Sequence, residues 1–388
     1  MTKIVNVSGF KEVLDVKDGD DIVVDAEGRI AVPSFYDMHV HLENALTLSY
    51  TGDNKSGTLS EAVERWAKVR DTLSKDDIKL IMKKAIILEL YNGVTHIRTH
   101  ADTCSKNLNS VKAALEVKEE MKDYVDIQVV AFPEQGVFNC DQEKFVKAIE
   151  LADIIGGKPD GEDSEDLGKE QLRLIAELSL KTGKPIDAHI DQGDVLTKFA
   201  EYLLSLRHTH VALSHLTALH SAPREYAERL MSLIKRKSAS VISSPLTTVY
   251  LNSRYGDYPK IRGITRIKEM LERDINVCLG HDDFQNPFFP LGFGDIIQAL
   301  YLAVLLDQIN PVDEVINLIT VNAEREFSYA SRPSKDDIVI LDAKSIREQL
   351  STLSSRFMVI RKGKIIAKTN KRGEVIVGGN TFNPFSLI

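Results

Sequence analysis

The sequence predicts an α/β fold: a (β/α)8 TIM-type barrel with a small β-sandwich-like domain built from the N- and C-terminal segments. Three observations carry this. Apolar β-type runs alternate with helical-period stretches, reaching eight β/α units between Phe35 and Asp283. Polar residues collect at the C-terminal ends of those runs, where a barrel places its chemistry. The two ends of the chain carry short strands punctuated by glycine, with little helical periodicity. A doubly wound sheet is assembled from similar units and is the competing architecture.

Residues 4–32 contain three short strands, Ile4–Val7, Asp21–Asp25 and Ile30–Val32, with Gly19 and Gly28 at turns. The first barrel strand is the one that carries His39 and His41, and a polar loop follows from Glu43 to Gly57, long enough to cover a site. Leu59 to Leu90 has helical spacing, with a helix start at Asp76-Asp77 after Ser74. The remaining barrel strands are expected at Val94–Asp102, Asp126–Glu134, Ala152–Asp160, Pro185–Asp191, His210–Leu216, Ser240–Leu246 and Ile275–Asp283. Between them lie helical patterns at Asn109–Lys122, Glu143–Leu151, Gly168–Thr182, Leu196–Leu206, Arg224–Lys237 and Thr265–Asp274. Beyond a helical region ending near Phe327, strands are expected at Asp336–Leu341, at Phe357–Ala367 with a bend at Lys362-Gly363-Lys364, and at Gly373–Val377. The resulting division is residues 1–32 plus 335–388 for the small β domain and 33–334 for the barrel.

With 388 residues, 43% hydrophobic and 27% charged, the chain can bury a barrel-sized core. A net charge of −8 argues against nucleic-acid or anionic-membrane partners. There is no apolar run of about 18 residues and no signal-peptide pattern at Met1–Val5, so a cytoplasmic protein is expected. Cys104, Cys140 and Cys278 are odd in number and lack Cys-x-x-Cys spacing, so no disulfide framework is expected; Cys278 sits in an apolar run as a buried thiol.

His39 and His41 lie two apart in an extended run, which puts both imidazoles on one side, where they can share a metal ion. Alone, such a pair equally describes two core histidines. The other strand ends supply the context. Strand two ends in Arg98, His100 and Asp102, strand three in Glu134 and Gln135, and strand five in His189, Asp191 and Gln192. Strand six gives His215 and strand eight His281, Asp282 and Asp283, so six of the ten histidines lie at or beside strand ends. Three imidazoles and a carboxylate suit a catalytic divalent metal with an open position for water.

These residues fall within motifs that resemble the cytosine deaminase branch of the amidohydrolase superfamily. The resemblance covers about residues 30–330. It rests on Phe35–Leu42, Ser56–Leu59, Glu64–Trp66, Val94–His100, Ala131–Pro133, Asp187–His189, Ser214-His215 with Leu219–Ser221, Tyr258–Lys260, Arg262–Arg266, Lys268–Glu272, Ile275–Cys278 and Gly280–Asp283. The resemblance implies one divalent metal ion, zinc or iron, on His39, His41, His189 and Asp282, with a metal-activated water. It implies His215 polarising that water, Asp282 sharing in its protons, and Asp283 contacting the substrate ring. His100 is expected to support the ligands and His281 to face away, since Asp282 takes the inward position. Homo-oligomers are common among such proteins, so one is expected here.

Three positions depart from the pattern. Gln192 stands where the family has a proton-shuttling Glu, and an amide cannot act as a general acid or base at neutral pH, a function worth about 10²–10⁴ in rate. Asp191, His215 or the substrate must then move that proton, or Gln192 serves in recognition. Glu134 replaces a Gln that holds the substrate's ring amide through a donor and an acceptor; a carboxylate only accepts. Phe288 replaces a Trp as an aromatic wall. The expected activity is hydrolysis of a C–N bond in a small amino-substituted heterocycle, such as a pyrimidine, purine or triazine, releasing ammonia or an amine. The alternatives are a cyclic amide hydrolase and a catalytically impaired metal-binding paralogue.

Overall fold

The computed structural model describes residues 2–8, 14–16, 23–261, 263–369, 375–377 and 380–382. Among them the largest sheet has eight strands in sequential order. These are β1 (Phe35–Val40), β2 (Val94–Asp102), β3 (Asp126–Phe132), β4 (Ile154–Gly157), β5 (Ile186–Ile190), β6 (Val211–His215), β7 (Ser240–Ser243) and β8 (Val277–Leu279). All pair in parallel with their neighbours. A parallel bridge between Val40 and Asp282 joins the two edges, so the sheet is a barrel and not an open doubly wound sheet. At that closure the backbones touch: Asp282 N donates to His39 O at 2.7 Å and His41 N to Asp282 O at 3.0 Å. A Cβ on Gly280 would lie 2.4 Å from the Cβ of His39, so the closure requires glycine there.

Helices wrap the barrel, and local chemistry sets their starts. Thr58 caps Leu59–Arg70, and Ser74 and Asp77 form a reciprocal capping box on Lys75–Tyr91. Ser164 starts Glu165–Thr182 three residues ahead of the expected Gly168. Several strands end earlier than their apolar runs suggest. β3 stops at Phe132, β7 at Ser243 before a helix opened by Pro245, and β8 at Leu279. Beyond those ends the chain leaves the ladder, and polar side chains turn over the barrel mouth.

The terminal strands form separate sheets. Ala31–Pro33, Ile338–Leu341, Arg356–Arg361 and Lys364–Lys368 make an antiparallel sheet, the last two as a hairpin across the expected bend. Thr2–Val5 pairs with Leu14–Val16 and Val23–Asp25. Ile4, Val7, Val24 and Ala26 pack with Ile340 and Ile360, which gives the two sheets a common core. Arg361 ties this part to the barrel by donating to Asp126 at 2.7 Å, and it also donates to Asp337 beside its own sheet at 2.6 Å. Val375–Val377 pairs with Asn380–Phe382; Gly373 and Glu374 of the expected strand lie outside the described residues, as do Gly19 and Asp21.

One expectation is corrected. Cys104 and Cys140 form a disulfide, with Cα atoms 5.3 Å apart and a sequence separation of 36, while Cys278 is a buried free thiol. Sequence spacing missed the pair because the loops after β2 and β3 meet only in the folded barrel. Closing a loop of that length stabilises by about 3–4 kcal/mol in the chain-entropy account. Cys104→Ser is therefore expected to lower the melting temperature under oxidising conditions and to change nothing under reductant, as scanning calorimetry would show.

A buried carboxyl offers a pH prediction. Glu89 is fully buried, and neither of its oxygens has a hydrogen-bond partner. Burial, and then the nearby Asp37, push its carboxyl well above the usual range. A folded-state pKa above the unfolded one means stability is full at low pH and falls as pH rises through the unfolded value toward the folded one. Glu89→Gln is expected to be more stable than the parent above about pH 5, with the gap widening as pH rises. Denaturation midpoints measured from pH 5 to 9 check this.

Candidate active site

Four side chains converge at the barrel mouth. β1 supplies His39 and, one residue past its end, His41; β5 supplies His189; Asp282 follows β8. His39 Nε2 lies 3.1 Å from His189 Nε2, and His189 Nε2 lies 3.4 Å from His41 Nε2. Asp282 Oδ1 is 3.5 Å from both His39 Nε2 and His41 Nε2. Metal–ligand bonds of about 2.0–2.1 Å in a tetrahedral array leave ligand–ligand edges of roughly 3.3–3.4 Å, so these distances are of the size that a bound cation requires.

The protonation chemistry agrees. Burial, reinforced by the neighbouring imidazoles, pushes His39, His41 and His189 well below the usual histidine range, which keeps them neutral and able to donate lone pairs. Burial, then the charges of Asp283 and Glu134, push Asp282 upward, and neither of its oxygens accepts a hydrogen bond. A buried carboxylate facing neutral imidazoles is a donor set that a cation completes.

The ligand cluster stands on a buried polar network. His39 Nδ1 is 3.0 Å from Ser214 Oγ, which donates to Asp187 Oδ1 at 2.5 Å. Arg98 donates to Asp187 at 2.9 Å, to Glu326 at 3.1 Å and to Gln128 at 3.0 Å, so this strand-two residue braces the site from below. Burial would raise Asp187, but His100, Arg98 and Ser214 hold it below the usual carboxylate range. His100 stacks on His39 with ring centroids 3.9 Å apart, and His39, His100 and His189 bring ring nitrogens close enough to form a second possible donor set. His215 stands 4.7 Å from His39 and 4.8 Å from His189 by ring centroid, with burial pushing it down to about 3. His281 turns away from the cluster, with Nδ1 2.9 Å from Asp283 O and its ring against Phe284. Asp191, His215 and Asp282 all have positive φ, at 51°, 75° and 72°, backbone strain that gathers at strand ends over the mouth.

A small pocket opens beside the cluster, lined by His41, Asn44, Leu59, Phe132, Glu134, Lys158, His189, Gln192, Asp282, Asp283 and Phe288. Its free volume of about 10 Å³ is room for a single water-sized sphere. Thus Glu134, Gln192, Asp283 and Phe288 come together in one cavity with the ligand set. Asn286 fixes Asp283 by donating to its Oδ1 at 2.6 Å, and its own Oδ1 accepts from Phe288 N at 3.0 Å. Asp283 is pushed up to about 7 by burial, against its hydrogen bonds. Gln135 does not line the cavity, because its Oε1 accepts from Arg70, which also donates to Asp102.

Sequence reasoning missed Lys158. It lies one residue beyond β4, and its Nζ donates to Glu134 Oε1 at 2.5 Å. The strand-end rule reaches this position, but a search for imidazoles and carboxylates passes over a lysine. Asn44, Asn286 and Ser214 escaped for the same reason.

Comparison with known proteins gives this geometry its setting. Residues 150–323 match the amidohydrolase family model. The structure superimposes on that of 5-methylcytosine deaminase from Klebsiella pneumoniae liganded with phosphonocytosine, with a TM-score of 0.89 and 30% identity, covering 95% of this chain and 99% of that one. The chain belongs to the amidohydrolase family. It is also 27% identical over 378 residues to N-isopropylammelide isopropyl amidohydrolase from Pseudomonas sp. (strain ADP), covering 91% of this chain and 89% of that protein. A pterin deaminase from Rhizobium rhizogenes is 26% identical over 360 residues, covering 87% of this chain and 80% of its own length. The family is metal-dependent, and this amidohydrolase is a hydrolytic, deaminating enzyme on a barrel that carries a His/Asp cluster able to bind metal. No helix among the described residues is long and apolar enough to cross a membrane.

Proposed function

We propose that this amidohydrolase removes an exocyclic amino or alkylamino group from a small nitrogen heterocycle, a cytosine-like pyrimidine, a purine or a triazine. The observation that carries the reading is the convergence of His39, His41, His189 and Asp282, with neighbouring donor atoms 3.1–3.5 Å apart, beside a pocket lined by carboxylates and a phenyl ring. His39, His41, His189 and Asp282 would hold one zinc or iron ion. When bound, such an ion supplies the Lewis acidity that makes water a nucleophile near neutral pH.

The chain's own groups do the rest. His215, neutral and beside the ligands, accepts a hydrogen bond or proton from the attacking water. Asp283, held by Asn286, contacts the amino-bearing edge of the ring. Phe288 forms the aromatic wall, and Gln192 donates from its amide without carrying a proton. Glu134 accepts from a ring N–H.

The test is ammonia or amine release from a panel of aminopyrimidines, aminopurines, aminotriazines and pterins by zinc- or iron-loaded protein. Turnover of at least one class is expected. Protein that carries one ion per chain yet releases nothing from any of them would refute the reading.

A further inference from the structure

Lys158 is 6% exposed and Glu134 4% exposed, so both charges are enclosed in the cavity that holds the ligand cluster. The lysine is firmly placed. Its backbone N donates to Gln171 Oε1 at 2.7 Å, Gln171 Nε2 donates back to Lys158 O at 3.3 Å, and its Nζ lies 5.7 Å over the Phe132 ring. An ammonium has three N–H donors, and Glu134 Oε1 takes one of them. Desolvating both groups of an ion pair is costly, and a pair placed at the reaction centre calls for more than a structural reason.

The departures at Glu134 and Gln192 acquire a joint meaning here. A Gln amide offers a ring lactam one donor and one acceptor. Glu134 alone offers only an acceptor, but Glu134 with Lys158 offers both an acceptor and a donor. Gln192 cannot deliver a proton to the ring nitrogen during attack, so the negative charge formed on the ring needs another destination.

We propose that Lys158 contacts the substrate and is catalytic: with Glu134 it grips the N–H/C=O edge of an oxo-substituted aminoheterocycle, and its ammonium stabilises the charge that attack drives onto that oxo oxygen. The inference rests on the heterocycle-hydrolase reading and narrows its substrate class to rings with a carbonyl conjugated to the attacked C=N bond. Hydroxide derived from water forms the C–O bond, and the π pair of C=N moves through the ring nitrogen onto the conjugated oxygen beside Lys158. The proton of the added hydroxyl passes to the amine, the C–N bond breaks with its pair, and ammonia leaves as the new C=O forms. The ring anion takes its proton from water on release, so substrate and water give oxo product and ammonia.

The experiment compares zinc-loaded wild type with Lys158→Met in two readouts. Calorimetry with pyrimidin-2-one and with pyrimidine needs no turnover; wild type is expected to bind the oxo ring at least about tenfold more tightly, and Lys158→Met to lose that preference. On the best oxo-substituted substrate kcat is expected to fall about 10²–10³-fold, as for loss of one oxyanion donor, with Gln192→Glu restoring part of it in the double variant. If Lys158→Met fails to fold around an unpaired Glu134, the double variant Glu134→Gln/Lys158→Met removes both charges and is expected to show the same kcat loss. Equal affinity of wild type for the two rings, or an oxo preference that survives removal of Lys158, would overturn the proposal. Absence of turnover by wild type would instead refute the hydrolase reading, with the affinity comparison still deciding the role of Lys158.

Discussion

Replacing His39 or Asp282 with alanine is expected to take bound metal from one ion per chain to a trace, and to lower turnover by about 10³–10⁴-fold, the loss of several kcal/mol of charge stabilisation. His39 lies 3.1 Å from His189 and 3.5 Å from Asp282, and Asp282 lies 3.5 Å from His41, so either change removes a donor that neighbours two others. Metal analysis after exhaustive dialysis, with rates on the same samples, reads both effects. Ser214→Ala should act more gently. It leaves every ligand in place but removes the hydroxyl that orients His39 Nδ1, so metal affinity is expected to drop about 10–100-fold. Equal losses in Ser214→Ala and His39→Ala would mean that the serine does more than orient a ligand.

The largest stability effect is expected at Arg98. Its guanidinium lies in the barrel interior between Asp187 and Glu326, and Glu326 also contacts His210 Nε2 at 2.8 Å. Arg98→Met keeps most of the side-chain volume but leaves two carboxylates buried without their cation. Breaking a buried pair in this way costs about 3–5 kcal/mol. Denaturant titration should show that loss, whereas removing exposed Arg224, paired with Glu228 at the surface, should leave stability nearly unchanged. Because Asp187 also accepts from Ser214, Arg98→Met should weaken metal binding as well, which joins the stability network to the site.

The legible parts of this protein are those written in short-range pattern. β2 matches its apolar run from Val94 to Asp102, and the helix Arg224–Lys237 its amphipathic repeat, because each is dictated by neighbours in sequence. His39 and His41 could be paired from their spacing of two, since an extended chain fixes which side they face. His189 and Asp282 needed the barrel itself, whose strand order brings residues over a hundred positions apart to one mouth. What stayed hidden depends on contacts between loops. Cys104 meets Cys140, and Glu134 meets Lys158, through loops after neighbouring strands, and no periodicity in either loop announces the partner. The short strand β8 was misjudged for a related reason: Gly280 to Asp283 is as apolar-flanked as a strand, but the chain must leave the ladder there for Asp282 to face the ligands.

The most direct test of the central claim is a metal titration of stripped protein while ammonia release from its best aminoheterocycle is recorded. The structure predicts no release without metal, a linear rise with added zinc or iron, and a break at one ion per chain. Full activity in the stripped protein, or activity indifferent to metal up to and beyond one equivalent, would contradict the account.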